Sequence, residues 1–170
     1  MKRSLPSVEA GALRLRLIEE SDLHDTLSWR NRDEARVWFK TSTPLTYEQH
    51  ANWFHQRYLR SDTDFLFVVE TEGVLVGQAS VYGIDWQART AEVGRFLVDS
   101  TQAGRGYISR ACGVLLDICW HTLDLDYVFL EVIDTNARAI HLYRKHGFSE
   151  EEHYDGLIRM GLRKNQARTE

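Results

Sequence analysis

The chain has 170 residues, 43% hydrophobic and 27% charged, with a formal charge of −4. That length suits one domain with a buried core, and the acidic balance argues against a protein drawn to nucleic acid by phosphate neutralisation. No apolar run approaches the roughly 20 residues that span a bilayer, and MKRSLPSVEAG lacks the apolar core of a secretory signal, so no membrane partner and a cytoplasmic location are expected.

Leu13, Leu15 and Leu17 alternate with Arg14 and Arg16, which predicts a first strand. Ser21 is placed to cap a helix through Leu23, Leu27 and Trp29. After a loop with Pro44, Thr46 to Gln49 fits a capping box, and Trp53, Phe54 and Tyr58 give the next helix an aromatic face. Phe65 to Glu70 and Val74 to Tyr82 read as antiparallel strands around Thr71-Glu72-Gly73, and Arg89 to Val98 as the following strand.

A glycine turn, Gly104-Arg105-Gly106, then leads into an apolar helix pattern ending near His121. Cys112 and Cys119 lie seven positions apart on it, about 10.5 Å along the axis, too far for a disulfide. Tyr127 to Ile133 is a strand, and Asn136 to His146 a helix closed by Gly147. Phe148 to Tyr154 and Leu157 to Leu162 flank Asp155-Gly156, a hairpin signal. The order predicts an α/β fold: a mixed central sheet of about six or seven strands with two N-terminal helices and two crossover helices. The domain is expected over residues 12–165, with tails at 1–11 and 166–170.

Two stretches carry chemistry. In DSTQAGRGYISR, Asp99 to Arg110, a strand meets a glycine turn and a helix start. The unpaired N–H groups of a first helical turn attract phosphate, and glycine lets the backbone come close. Arg105 and Arg110 flank the turn and Ser109 offers a hydroxyl; the plainer reading is solvated surface charge. In NARAIHLYRKHGF, Asn136, Ile140, Tyr143 and Gly147 share one helix face. Here the plainer reading is a helix cap and a core tyrosine.

Together these stretches resemble the acyl-CoA N-acyltransferases of the GNAT superfamily, through AEVGRFLVD (Ala91–Asp99), QAGRGYISRA (Gln102–Ala111) and LEVIDTNARAIHLYRKHGF (Leu130–Phe148). Most specific is N-x-x-A-x-x-L-Y-x-x-x-G-F, met by Asn136, Ala139, Leu142, Tyr143, Gly147 and Phe148. Two positions depart from the family's usual phosphate loop, Ala103 and Ile108. The bulk of Ile108 is expected to limit how closely the helix start approaches a phosphate.

The resemblance implies the GNAT fold and acetyl-CoA as cofactor, with no metal. The pantetheine arm would lie between two splayed strands and bond the backbone of Leu97 and Val98. The diphosphate would rest on Arg105, Gly106, Tyr107, Ile108, Ser109 and Arg110, and Asn136 would hold the arm. Tyr143 would give the proton to the leaving thiolate, and a backbone N–H near Leu97 would face the oxyanion. Glu92 would take the amine's proton; its plainer reading is an exposed strand residue, and a bulge usual in the family's strand would upset the counting of faces.

The acceptor side is expected from Trp29, Arg30, Asn31, His50 and Trp53, with Trp38 and Phe39 nearby. Aromatic and arginine side chains suit a base and its phosphates, and their order looks like that of enzymes acetylating amino-sugar nucleotides. Helix core is the plainer reading for the tryptophans, and a solvent-facing histidine for His50. The implied function is acetyl transfer to the primary amine of a small molecule, by a monomer or homodimer. Acetylation of protein N-termini, of the ribosomal-protein type, and a non-catalytic CoA-sensing module are the alternatives.

Overall fold

The computed structural model describes residues 2–38 and 43–167. One eight-stranded sheet runs through the molecule in the order β1-β2-β3-β4-β5-β6-β8-β7. Its strands are β1 (Val8–Ala10), β2 (Leu13–Leu17), β3 (Phe65–Thr71), β4 (Val74–Asp85), β5 (Thr90–Val98), β6 (Tyr127–Ile133), β7 (Ser149–Tyr154) and β8 (Leu157–Arg163). The helices are α1 (Leu23–Asn31), α2 (Asp33–Arg36), α3 (Tyr47–Trp53), α4 (Tyr107–Asp117) and α5 (Ala137–Lys145). Both α3 and α4 run on as wider π-helical turns, Phe54–Tyr58 and Ile118–Thr122.

The sheet exceeds the expected six or seven strands because β1 lies in the segment expected to be a tail. It folds back on β2 around Gly11 and pairs Val8 with Leu15. The residues before it also dock: the Lys2 ammonium lies 3.9 Å over the Tyr58 ring and donates to the Asp64 carbonyl, and Arg3 lies 4.0 Å over Trp86. Burial pushes the Lys2 amine down to about 8.

Ser21 is not the cap of α1. Glu19 to Asp22 form a tight turn ahead of the helix, in which Asp22 accepts from the Glu19 N–H at 2.8 Å and is clamped by Arg16 at 2.7 and 2.9 Å. The box before α3 forms as expected: Thr46 Oγ1 accepts from Gln49 N–H, and Gln49 Oε1 from Thr46 N–H. Asp155 and Gly156 both adopt positive φ, which a tight hairpin turn requires.

The unbroken apolar run of β3 is buried on both faces. Phe65, Phe67 and Val69 join one core with Val81, Val93, Val128 and the apolar side of α4; Leu66 and Val68 join another with Leu23, Phe54 and Tyr58. So α4 and α5 pack on one face, while α1 and α3 cover the other face from β2 to β4 and, through Trp29, the Leu97 end of β5. On β6 the residues of that second face alternate with buried ones and stay partly exposed.

Candidate active site

The sheet comes apart in its middle. Strands β5 and β6 are parallel partners at Thr90–Tyr127, Ala91–Val128 and Glu92–Phe129, and at no later position, although β5 runs on to Val98 and β6 to Ile133. From Glu92 onward the two strands diverge and leave a gap edged by backbone groups. Along the same stretch β5 carries an extra residue against β4: Gln78 pairs with Leu97, but Ser80 with Gly94. Arg95, in this bulge, takes a left-handed φ of 54°, and its carbonyl accepts from Gln78 Nε2 at 3.1 Å.

The glycine turn lies at the mouth of the gap. Gly104 and Gly106 have φ of 81° and 76°, with open space where a side chain would stand. Gly106 is the N-cap residue of α4 and has no side chain to satisfy the first-turn N–H groups. An uncapped helix start with glycine backbone before it fits a diphosphate, so the residues present fit coenzyme A. Ile108 does not obstruct this cradle. Its Cδ1 turns inward, 3.4 Å from where a Cβ on Gly77 would stand.

Three expected donor-side groups are placed differently. A Cβ on Gly77 would collide with the Leu97 carbonyl, so that carbonyl faces β4 and not the gap. Alternation turns the backbone of Val98 to the open edge, where Arg32 Nη2 donates to its carbonyl at 2.7 Å. The Ser109 hydroxyl lies 3.2 Å from His146 Nε2 at the end of α5, and so ties the two crossover helices together. Arg105 and Arg110 are exposed, Arg110 lying 4.9 Å over the Tyr107 ring.

Asn136 caps α5, its Oδ1 accepting from Ala139 N–H at 3.3 Å, which leaves its Nδ2 outside the cap. Seven positions on, Tyr143 packs between Phe96 of β5 and Phe148, with ring centroids 5.9 and 6.0 Å away. Burial, and then the neighbouring Cys112, push its phenol well above the ordinary value, so it keeps its proton at neutral pH.

Glu92 occupies the fork itself. Tyr82, Glu92, Phe129 and Gly161 are direct partners in turn across β4, β5, β6 and β8, so they share the second face. The Tyr82 hydroxyl donates to Glu92 Oε2 at 2.8 Å. Arg95 lies 3.9 Å over the Tyr82 ring and reaches both Asp64 carboxylate oxygens at 3.2 Å. At the other end Arg159 lies 3.8 Å over Phe129, and the Glu151 carboxylate fills the space above Gly161. Tyr82, Arg95 and Asp64 were not singled out from the sequence. The alternation of β4 places Tyr82 opposite Val81, but only the bulge brings Arg95 onto its ring.

The α1–α3 residues expected to bind the acceptor are mostly occupied in holding the fold. Trp29 is 2% exposed, and its indole N–H donates to Asp99 Oδ2 at 3.0 Å. Asn31 clamps Leu45 through both backbone groups, at 2.7 and 2.9 Å. His50 is buried rather than solvent-facing, bonded to Thr26 Oγ1 at 2.9 Å and stacked on the half-buried Trp53. Burial, and then Arg30, lower its pKa. Arg30 is itself half-buried near Arg36. Phe39 lies outside the described residues.

The family model described as Acetyltransferase (GNAT) domain matches residues 12–149. Among curated proteins, spermidine N(1)-acetyltransferase of Escherichia coli K12 is 29% identical over 143 residues, 84% of this chain and 75% of that one. The enzyme of the same name from Vibrio cholerae is 27% identical over 83% of this chain and 81% of its own. A crystal structure of the Vibrio cholerae spermidine N-acetyltransferase with CoA and spermine superposes with a TM-score of 0.84, at 23% identity, over 92% of this chain and 98% of that one. A likeness at that identity speaks for the fold alone.

Proposed function

This chain belongs to the GNAT acetyltransferase family and is an acyl-CoA-dependent N-acetyltransferase with acetyl-CoA as donor, and we propose that its acceptor is a primary amine of a small linear polyamine. The carrying observation is Glu92 at the fork, on an open face where carboxylates alternate with rings. Asp64 and Glu151 are paired with Arg95 and Arg159, which also cover the Tyr82 and Phe129 rings; Glu92, bonded by a neutral hydroxyl, keeps its charge for an ammonium. The curated relatives carry the name of a polyamine acetyltransferase. An amino-sugar nucleotide has less to bind to, since Trp29, Asn31 and His50 are committed elsewhere.

Acetyl-CoA, when bound, supplies an activated acetyl thioester. The first-turn N–H groups of α4 from Tyr107 to Ser109, with Arg105, Gly106 and Arg110, would hold its diphosphate, and Asn136 Nδ2 and the Val98 N–H on the open edge of β5 would hold its arm. Glu92 takes the proton of the ammonium, directly or through a water, and frees the nitrogen lone pair. Tyr143 presents its O–H to the departing sulfur. Holding amine and donor on either side of one fork contributes the proximity term.

An acceptor panel with a thiol-detecting readout tests this. Spermidine and spermine are expected to release CoA thiol. Peptides beginning with Ala or Ser, and amino-sugar nucleotides, are expected to stay silent. Turnover confined to either of those classes would overturn the polyamine reading, and acetyl-CoA binding without turnover of any amine would favour a sensing module.

A further inference from the structure

We propose that Tyr82 is a positioning residue for the Glu92 carboxylate, held in place by Arg95 and Asp64. The proposal rests on Glu92 as proton acceptor and does not depend on which amine is accepted. A carboxylate that accepts a proton needs one oxygen aimed at the amine, and a side chain on an exposed strand position turns freely about its last bonds. Here the Tyr82 hydroxyl, 2.8 Å away, takes Oε2, and Oε1 has no hydrogen-bond partner among the described residues. Burial, followed by the adjacent Glu92 charge, keeps the Tyr82 proton on its oxygen.

The donor is itself fixed. Arg95 lies flat over the Tyr82 ring at 3.9 Å, and its guanidinium is pinned by both Asp64 oxygens. Arg95 reaches the ring because its backbone is left-handed at the bulge, which breaks the alternation of β5. Gly94 completes the arrangement: a Cβ there would come within 3.0 Å of the Tyr82 hydroxyl. Arg95, Asp64 and Gly94 therefore fix Tyr82, which alone among them touches Glu92.

Several charged or titratable groups face this carboxylate. They are Tyr82 from β4, Arg95 from β5, Asp64 ahead of β3, Arg159 of β8 over the partner ring Phe129 and Glu151 of β7, while Tyr143 of α5 acts on Tyr82 from the other side of the sheet. Only Tyr82 donates to it at hydrogen-bonding distance among the described residues.

The test is a double-mutant cycle measured with an amine the panel shows to be turned over. Tyr82→Phe keeps the ring and its stack with Arg95 but removes the hydroxyl. It should lower kcat roughly tenfold, an orientation effect, and leave the acetyl-CoA dissociation constant unchanged. The KM for the amine should stay as it was, so that the loss falls on kcat. In a Glu92→Gln background the same substitution should change nothing further. Gly94→Ala, which crowds the hydroxyl without removing it, should lower kcat in the same direction. An unchanged kcat in Tyr82→Phe, with Glu92→Gln inactive, would overturn the positioning role alone. An equal loss in the Glu92→Gln background would also overturn it. If neither substitution slows turnover, Glu92 as proton acceptor falls, and the positioning role with it.

Discussion

At the start of α3, the Thr46 hydroxyl and the Gln49 amide satisfy each other's backbone N–H groups. At the start of α4, the corresponding position is Gly106, which has no side chain to give. The same division extends to the surroundings of the two helices. Around α3 the polar side chains are paired, Trp29 with Asp99, His50 with Thr26 and Asn31 with the Leu45 backbone. Around α4 the backbone donors are left over. A helix end that only holds the fold uses up its hydrogen-bonding capacity, and one that meets a ligand keeps it in reserve.

The largest expected effect is on the side that is used up. Trp29→Ala should destabilise the fold by about 3–5 kcal/mol, as for other buried tryptophans, with a lower unfolding midpoint in denaturant. Unchanged stability with a raised KM for the amine would instead make Trp29 an acceptor contact and break the comparison. On the reserved side, Gly106→Val forces a β-branched residue to a φ of 76°, a strain of roughly 1–2 kcal/mol. Calorimetry should find acetyl-CoA affinity reduced by about tenfold, a change of about 1.4 kcal/mol. Thr46→Ala should cost about 1 kcal/mol of stability and leave acetyl-CoA affinity as it was. The smallest effect is a pH dependence. His50 is held neutral in the folded chain, so between its ordinary value of about 6.5 and its lowered folded value only the unfolded chain binds the proton. Stability should fall as pH drops through that window, and His50→Gln should flatten the slope in a thermal-melt series.

The turns and helix faces around α4 and α5 were legible in the sequence because they are set by backbone and spacing. Gly104, Gly106 and Gly147 mark turns by what they lack, and Asn136 and Tyr143 meet through helical periodicity alone. The acceptor half was not, because its residues are defined by partners far along the chain. Nothing near Trp29 announces Asp99, seventy positions later. Nothing near Thr26 announces His50, and Ser109 looks like a phosphate ligand until His146 is known to lie beside it. β1 was missed because a three-residue strand has too short a period to read. Arg95 was missed because a non-glycine residue at positive φ leaves no mark in composition.

The parting of β5 and β6 after Glu92 also makes the sheet two wings sewn together by three residue pairs. Beyond that seam only α4 and its loop carry the chain from one wing to the other. On the proposed placement, the ligand arm would lie along the open edge and take the place of the ladder that the strands give up. Acetyl-CoA is then a missing strand as much as a reagent, and the melting temperature of the protein should rise with its concentration as the seam is closed.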